Sequence, residues 1–389
     1  MNVKTNDKYH KLLPKKLFFV IILTVINGGN KMKKILIFLI IGFFTVITGC
    51  EGNIINDGGN GNNNPDDPID NPDDTVPPVK TEYELYIDDL KAIVNVEKNT
   101  VFERYGDFTD VLEEYVYFGD FPGREVTNTE LVAKLDTLSP SNEYGYIECE
   151  GLNFVKVTIQ NTYTSLEIGN EAYENSTRYK IGTTHYFLVE PILWRVLTTN
   201  AFTGEIFCIS NNIVDAQIYV SETNTRLIDD RIIYPSNYEH SDIRKWCNNV
   251  FYNQAFSDAE KELVVYKTIN NQYPINLSVD VYDRDTEDYV YIPSFQEMTE
   301  EFYGYEPSGI FSYSRFCTPS DYASARGAYT SALEEQYGYS GLYLLRTGHE
   351  YVKSFVPFVK FDGYALNPYY VNSPSTGARL CIRISLPTE

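Results

Sequence analysis

The sequence predicts an α+β fold: one domain of mixed or antiparallel sheet, with a few short helices and long loops. Three observations carry this. Alternating or β-branched apolar runs recur from about residue 115 to the end of the chain. Helical stripes with capping signals are few and short. Strands and helices do not alternate regularly, which argues against a doubly wound parallel sheet, and no internal repeat is evident.

The N-terminal 80 residues divide by composition. Residues 1–31 hold one apolar run, Leu17 to Ile26, too short to span a membrane. Gly28-Gly29, coded GGN-GGN just before Met32, fits a ribosome-binding site read as protein, so 1–31 is expected to be untranslated or a mis-assigned start. Residues 32–49 have the three parts of an export signal: Lys33 and Lys34, an apolar core from Ile35 to Val46, and small or hydroxylated residues before Cys50. The core is shorter than the ~20 residues of a transmembrane helix.

From Cys50 to residue 80 the chain is mostly Asn, Asp, Gly and Pro, with Asn64-Pro65-Asp66-Asp67 echoed by Asn71-Pro72-Asp73-Asp74. Such a segment buries too little apolar surface to fold. As a coil it would average about 30 Å end to end. Its Asp clusters lack the ligand spacing of a calcium loop.

Residues 81–114 open with a Thr81-x-x-Glu84 capping box and an apolar face of Tyr83, Ile87, Leu90 and Val94. This predicts a helical stalk or N-terminal extension to the main domain at 115–389. Tyr115 to Phe118 reads as a strand that stops at Gly119. His185 to Leu197 is a β-type run interrupted by Pro191, and Glu205 to Ser210 and Asp288 to Ile292 are shorter ones. Ser241 caps a helix with an Ile243, Trp246, Cys247, Val250 and Phe251 stripe; Ser257-x-x-Glu260 and Ser294-x-x-Glu297 start two more. Ser354 to Phe361 and Tyr364 to Val371 flank Asp362-Gly363, a hairpin signal. Leu380, Ile382, Ile384 and Leu386 alternate as a last strand.

Composition excludes some partners. Without residues 1–49 the chain has 24 basic and 53 acidic residues, a net charge of −29. This argues against nucleic acid and against electrostatic docking on anionic lipid. Aromatic residues make up 15%, with 33 tyrosines, a composition that suits contact with sugars or proteins and also follows from an AT-rich genome. Five cysteines besides Cys50, an odd number without a CxxC, exclude a complete disulfide framework. Cys208, Cys247 and Cys381 read as small buried hydrophobes. The three histidines after residue 49 (His185, His240, His349) lack metal-ligand spacing, and HExxH, GxSxG and phosphate-binding glycine loops are absent. No catalytic residue, metal or cofactor is therefore assigned, and an enzyme is the less favoured reading.

Two resemblances add to this. Ile47-Thr48-Gly49-Cys50 resembles the lipobox of bacterial lipoproteins, in which the cysteine is lipidated and becomes the first residue. The resemblance implies a membrane anchor at Cys50 and an extracytoplasmic location, at the cell surface or a periplasmic face. Further on, Asp242-Ile243-Arg244-Lys245-Trp246-Cys247-Asn248-Asn249, then Phe251 and Ala255-Phe256-Ser257, resembles the core of a bacterial domain-of-unknown-function family, number 6273. Other blocks fall in that family's order: Val116 to Pro122, with Gly123 where glutamine is usual; Pro191 to Leu197; Tyr291 to Ser294; Thr318 to Ala323; Leu344-Leu345-Arg346; and Gly377-Ala378-Arg379. Together they span roughly 115–388. The layout is also similar to C-type-lectin-like and formylglycine-generating-enzyme folds. The second activity needs a reactive cysteine pair, and Cys317 and Cys381 are the late candidates, with Cys381 inside a strand.

The expectation is thus a lipid-anchored module that recognises a glycan, peptide or protein. Arg195, Asp321, Arg346 and Arg379 are the candidate ligand-binding residues, since arginine forks hold carboxylates bidentately. Buried Arg–Asp struts are the competing reading of the same four. Trp194 and Trp246 read as core. The alternatives to a binding module are an envelope enzyme using carboxylates that the sequence does not single out, and a structural or assembly protein of the envelope.

Overall fold

Strand β5 (Thr184–Thr199) is the axis of the molecule in a computed structural model that describes residues 79–160, 178–271, 283–331, 339–348, 353–365, 367–374 and 376–386. These residues lie in the compact unit Val76–Glu389. The leader expected at 32–49, Cys50 and the tether as far as residue 78 lie outside the described residues, as does His349.

One edge of β5 pairs with β2 (Leu112–Glu125), which pairs in turn with β1 (Val101–Tyr105). The other edge is divided. Its first half takes β4 (Leu152–Thr158), followed by β3 (Tyr146–Cys149), and its second half takes β6 (Glu205–Ser210). Beyond β6 come β17 (Cys381–Ser385) and then β12 (Val290–Tyr291), and every pair in this eight-stranded sheet is antiparallel. A five-stranded sheet runs β15 (Asn367–Tyr370), β14 (Phe355–Val359), β13 (Tyr343–Leu344), β16 (Gly377–Ala378), β7 (Asp215–Ala216). Its β13–β16 pair is parallel, so the domain is α+β with antiparallel and mixed sheets. Two ribbons complete the strands: β8 (Arg226–Ile228) with β9 (Arg231–Ile233), and β10 (Lys267–Ile269) with β11 (Thr286–Asp288).

The main core joins both sheets. Trp194 is fully buried, and its indole N–H donates to the Phe118 carbonyl at 2.8 Å. Phe118, Phe207, Leu344, Val356 and Leu380 share the same cluster. A second core lies under α1 (Glu82–Val94) and α2 (Thr129–Leu135). The α1 capping box closes as expected, with Glu84 N donating to Thr81 Oγ1 at 3.2 Å and Thr81 N donating to Glu84 Oε2 at 2.7 Å. Ile87 and Leu90 are buried with Leu131, Phe154 and Leu188.

Four elements differ from expectation. The boundary drawn at residue 114 falls inside β2, and residues 101–105 of the expected stalk form the edge strand of the main sheet. Gly119 does not end β2. It takes φ +70 at a register shift between Tyr117 and Asp120, with the Phe256 ring seated where a Cβ would stand, 2.6 Å away. Pro191 does not interrupt β5, because it pairs with Asp120 next to this bulge, where a missing N–H is tolerated. The Ser294 box caps a single 3-10 turn, Glu297–Thr299.

The Ser241 helix carries a further difference. α3 (Asp242–Lys245) continues as a π-helix, Trp246–Phe251, before α4 (Tyr252–Ala255). The widened turn keeps Ile243, Cys247 and Phe251 buried but rotates Val250 outward to 47% exposure. Asn248, in this turn, donates Nδ2 to the carbonyls of Arg244 and Val290 and accepts the N–H groups of Tyr289 and Val290. It ties the helix to β12. α5 (Asp258–Lys261) starts from the Ser257 capping box. α6 (Asp321–Arg326) is capped by Ser320. All five described cysteines are free. Burial raises Cys208, Cys247 and Cys381 well above the usual thiol range and pushes Cys317 up to about 11.

Loops rather than helices dominate the segment between β12 and β13, and Arg315 organises them. Its side chain is fully buried and has no carboxylate partner among the described residues. Nε donates to the Gly363 carbonyl at 2.6 Å, Nη1 to those of Met298 (3.1 Å) and Glu306 (2.5 Å), and Nη2 to that of Ile310. Gly363, at φ +73, packs so tightly on Ser312 that a Cβ would meet its carbonyl oxygen at 2.0 Å. Arg315→Met should therefore leave four carbonyls without donors and cost about 3 kcal/mol or more. Arg315→Lys, with three donors, should fall between. Urea denaturation of the three proteins measures this; equal midpoints for Met and wild type would refute it.

Candidate functional site

A cleft of about 590 Å³ lies over the irregular stretch of the β2–β5 pair. The register shifts there arise from local chemistry. Pro122 and Pro191 cannot donate to the ladder, and Gly119 adds a bulge. Ala92 and Ile93 of α1 line one side, and Asp107, beyond β1, with Asn211 lines another. The lining mixes apolar faces (Ile192, Pro122, Tyr117) with planar polar groups (Arg124, Glu190, Asn211).

Glu190 is the best-placed group in it. Its carboxylate sits directly over Gly123, where a Cβ would lie 2.2 Å from Oε1. Arg124 Nε is 3.5 Å from Oε2, and the Arg124 backbone N–H also donates to it. Burial nonetheless raises the Glu190 carboxyl above its ordinary range, against the pull of Arg124; the Asp321 charge adds to the rise. The Arg124 side chain is 53% exposed and lines the cleft, where its guanidinium is a source of N–H donors. Asn211 is oriented by donating to Asp107 Oδ2 at 2.8 Å, while Asp107 also pairs with Arg104.

The four residues singled out from the sequence do not converge on this cleft. Arg195 pairs with Glu113 at 3.0 Å, donates to the Tyr303 carbonyl and lies 5.1 Å from the Tyr305 ring centre. Arg379 is buried, donating to the Ser210 carbonyl (3.0 Å) and to Tyr343 Oη (3.1 Å). These two share a small recess of about 30 Å³ whose Asn211 also borders the large cleft. Asp321, at the start of α6, accepts the Glu125 N–H at 3.0 Å and pairs with Arg178 at 2.7 Å; its neighbour Ser320 reaches the cleft. Arg346 is buried elsewhere, bidentate on Glu297 (2.5 and 3.0 Å) and bonded to the Ile292 carbonyl. All four have structural partners.

Arg124, Glu190 and Asn211 were missed because isolated polar residues within apolar runs have no spacing signature. One signal did exist: Gly123, a residue without a side chain inside an apolar strand run, leaves the space that the Glu190 carboxylate fills. Among the described residues no three His, Cys, Asp or Glu side chains form a metal-ligating group, and no helix is long and apolar enough to cross a membrane.

Residues 203–386 match the family model described as Domain of unknown function (DUF6273). The match begins just before β6 and ends with β17, so the opening blocks at 116–122 and 191–197 lie outside it. The large cleft draws on both parts. α1, β1, β2 and β5 precede the DUF6273 region, whereas Asn211, Val214 and Ser320 belong to it. No curated protein and no solved structure matches the chain.

Gly123→Ala should displace the Glu190 carboxylate from its seat while costing only about 1 kcal/mol of stability, since the obstructing atom ends a flexible side chain. The Glu190 carboxyl should then titrate closer to the ordinary value of about 4.3. Carboxyl-labelled NMR titration of both proteins checks this; an unchanged midpoint would show that Gly123 does not seat Glu190.

Proposed function

We propose that this chain is an extracytoplasmic lipoprotein, anchored through Cys50, whose folded part recognises a ligand in the β2–β5 cleft. The reading rests on the cleft itself: a concave site of about 590 Å³ combining apolar faces with planar polar side chains already held in orientation. A saccharide suits this lining best. Pro122, Ile192 and the Tyr117 ring offer apolar contact to the C–H face of a sugar ring, while Arg124, Glu190 and Asn211 offer donors and acceptors to hydroxyls. The tether from Cys50 to residue 80 would hold the domain about 30 Å from the lipid.

A glycan-array screen of the full chain, followed by calorimetry, tests recognition. Binding should weaken about tenfold in Arg124→Ala and in Glu190→Gln, in line with one lost charged hydrogen bond each. Silence across the array would remove the saccharide reading, and capture of a peptide blocked by the same variants would redirect it. Anchoring is tested separately by mass spectrometry. The mature N-terminus should be an acylated Cys50, and Cys50→Ala should release the protein from membranes.

One observation favours a second reading, an envelope hydrolase. Asp107 and Glu190 face the same cleft, and the Glu190 carboxyl is raised, as a general acid requires. Turnover of a bound saccharide, lost in Glu190→Gln with binding retained, would establish it.

A further inference from the structure

We infer that a second cleft, formed by β10, β12, β17 and the 3-10 turns at 297–303, binds a small zwitterion, with an ammonium and a carboxylate on one molecule, as in a free amino acid or a dipeptide. The cleft holds about 550 Å³, and every residue that lines it falls within 203–386, the DUF6273 region. It is separate from the β2–β5 cleft and shares no lining residue with it.

The pairing of its charges points to the ligand. Arg346 and Glu297 neutralise each other one to one. Arg383 (3.0 Å) and Lys267 (3.6 Å) instead share a single carboxylate, that of Glu205. One positive charge is left over there. Glu300, on the turn between Glu297–Thr299 and Glu301–Tyr303, accepts the Phe302 N–H and has no cationic partner among the described residues. One negative charge is left over there.

The lining thus carries one uncompensated cation from β10 and β17 and one uncompensated anion from the turn. A lone anion or a lone cation would satisfy only one of them. A zwitterion satisfies both, its carboxylate on the Arg383–Lys267 pair and its ammonium on Glu300. Arg346 also lines the cleft, 3% exposed, and its buried Nε–H has no acceptor among the described residues. Tyr303 and Phe295 provide ring surface for a side chain.

Calorimetric titration of the full chain with the common free amino acids and a set of dipeptides tests this. Each is paired with its N-acetylated and C-amidated form, and inorganic phosphate is the lone-anion control. At least one free compound should bind with a Kd below about 1 mM. Blocking either end should weaken binding about tenfold or more, and so should Lys267→Gln or Glu300→Gln, two exposed side chains whose loss leaves the fold intact. Whether the free amino acid or the dipeptide arm responds identifies the source of the zwitterion. The inference is overturned if no free compound binds, or if blocked compounds or phosphate bind as tightly. Arg124→Ala, in the first cleft, should leave this binding unchanged, so failure here and failure of the glycan reading are distinguishable.

Discussion

Buried guanidinium groups bonded to backbone carbonyls hold this domain together. Its loops are long, and loop carbonyls that are buried without donors cost free energy. Arg315 answers four of them with one side chain, from positions 298, 306, 310 and 363. Arg379 then links the Ser210 carbonyl of β6 to Tyr343 Oη, and Tyr343 Oη donates to the Arg315 carbonyl. Arg346 reaches the carbonyls of Ile292 and Asn270, and Arg195 that of Tyr303. Arginine suits this task because its five donors are fixed in a plane and its charge is weakly hydrated. The resulting frame replaces the helices that would otherwise cover the sheets.

The same frame frees the β2–β5 pair to be irregular. A strand pair bearing two prolines and a bulge is a poor ladder, yet the Trp194 indole N–H, bonded to the Phe118 carbonyl, ties its strands together. A cleft lies at the irregular stretch, with Glu190 lodged against a side-chain-free residue. Core packing and the cleft therefore draw on the same strand pair, with Phe121 and Ile192 contributing to both.

Local periodicity made much of this legible. The α1 capping box, β6 at Glu205–Ser210 and the closing strand were all readable from spacing. What misled was punctuation. Gly119 and Pro191 look like breaks in isolation, but each sits opposite the other's irregularity, a tertiary fact. The stripe through Val250 assumed 3.6 residues per turn, and the π-helix moved that residue out. The arginines at 195, 346 and 379 were visible as candidates, but sequence alone does not separate a ligand-facing fork from a strut, because both need the same donors. Long-range partners decide it: Glu113, Glu297 and Tyr343 lie far away in sequence.

Strand order has a consequence for biogenesis. β17, the last strand, does not lie at an edge; it is inserted between β6 and β12. β16, just before it, sits likewise between β13 and β7. Without β16 and β17 both sheets remain split in two, with open hydrogen-bonding edges and an unclosed main core. Closure of the main core therefore waits on β16 and β17, so folding of the domain is coupled to the arrival of these two strands.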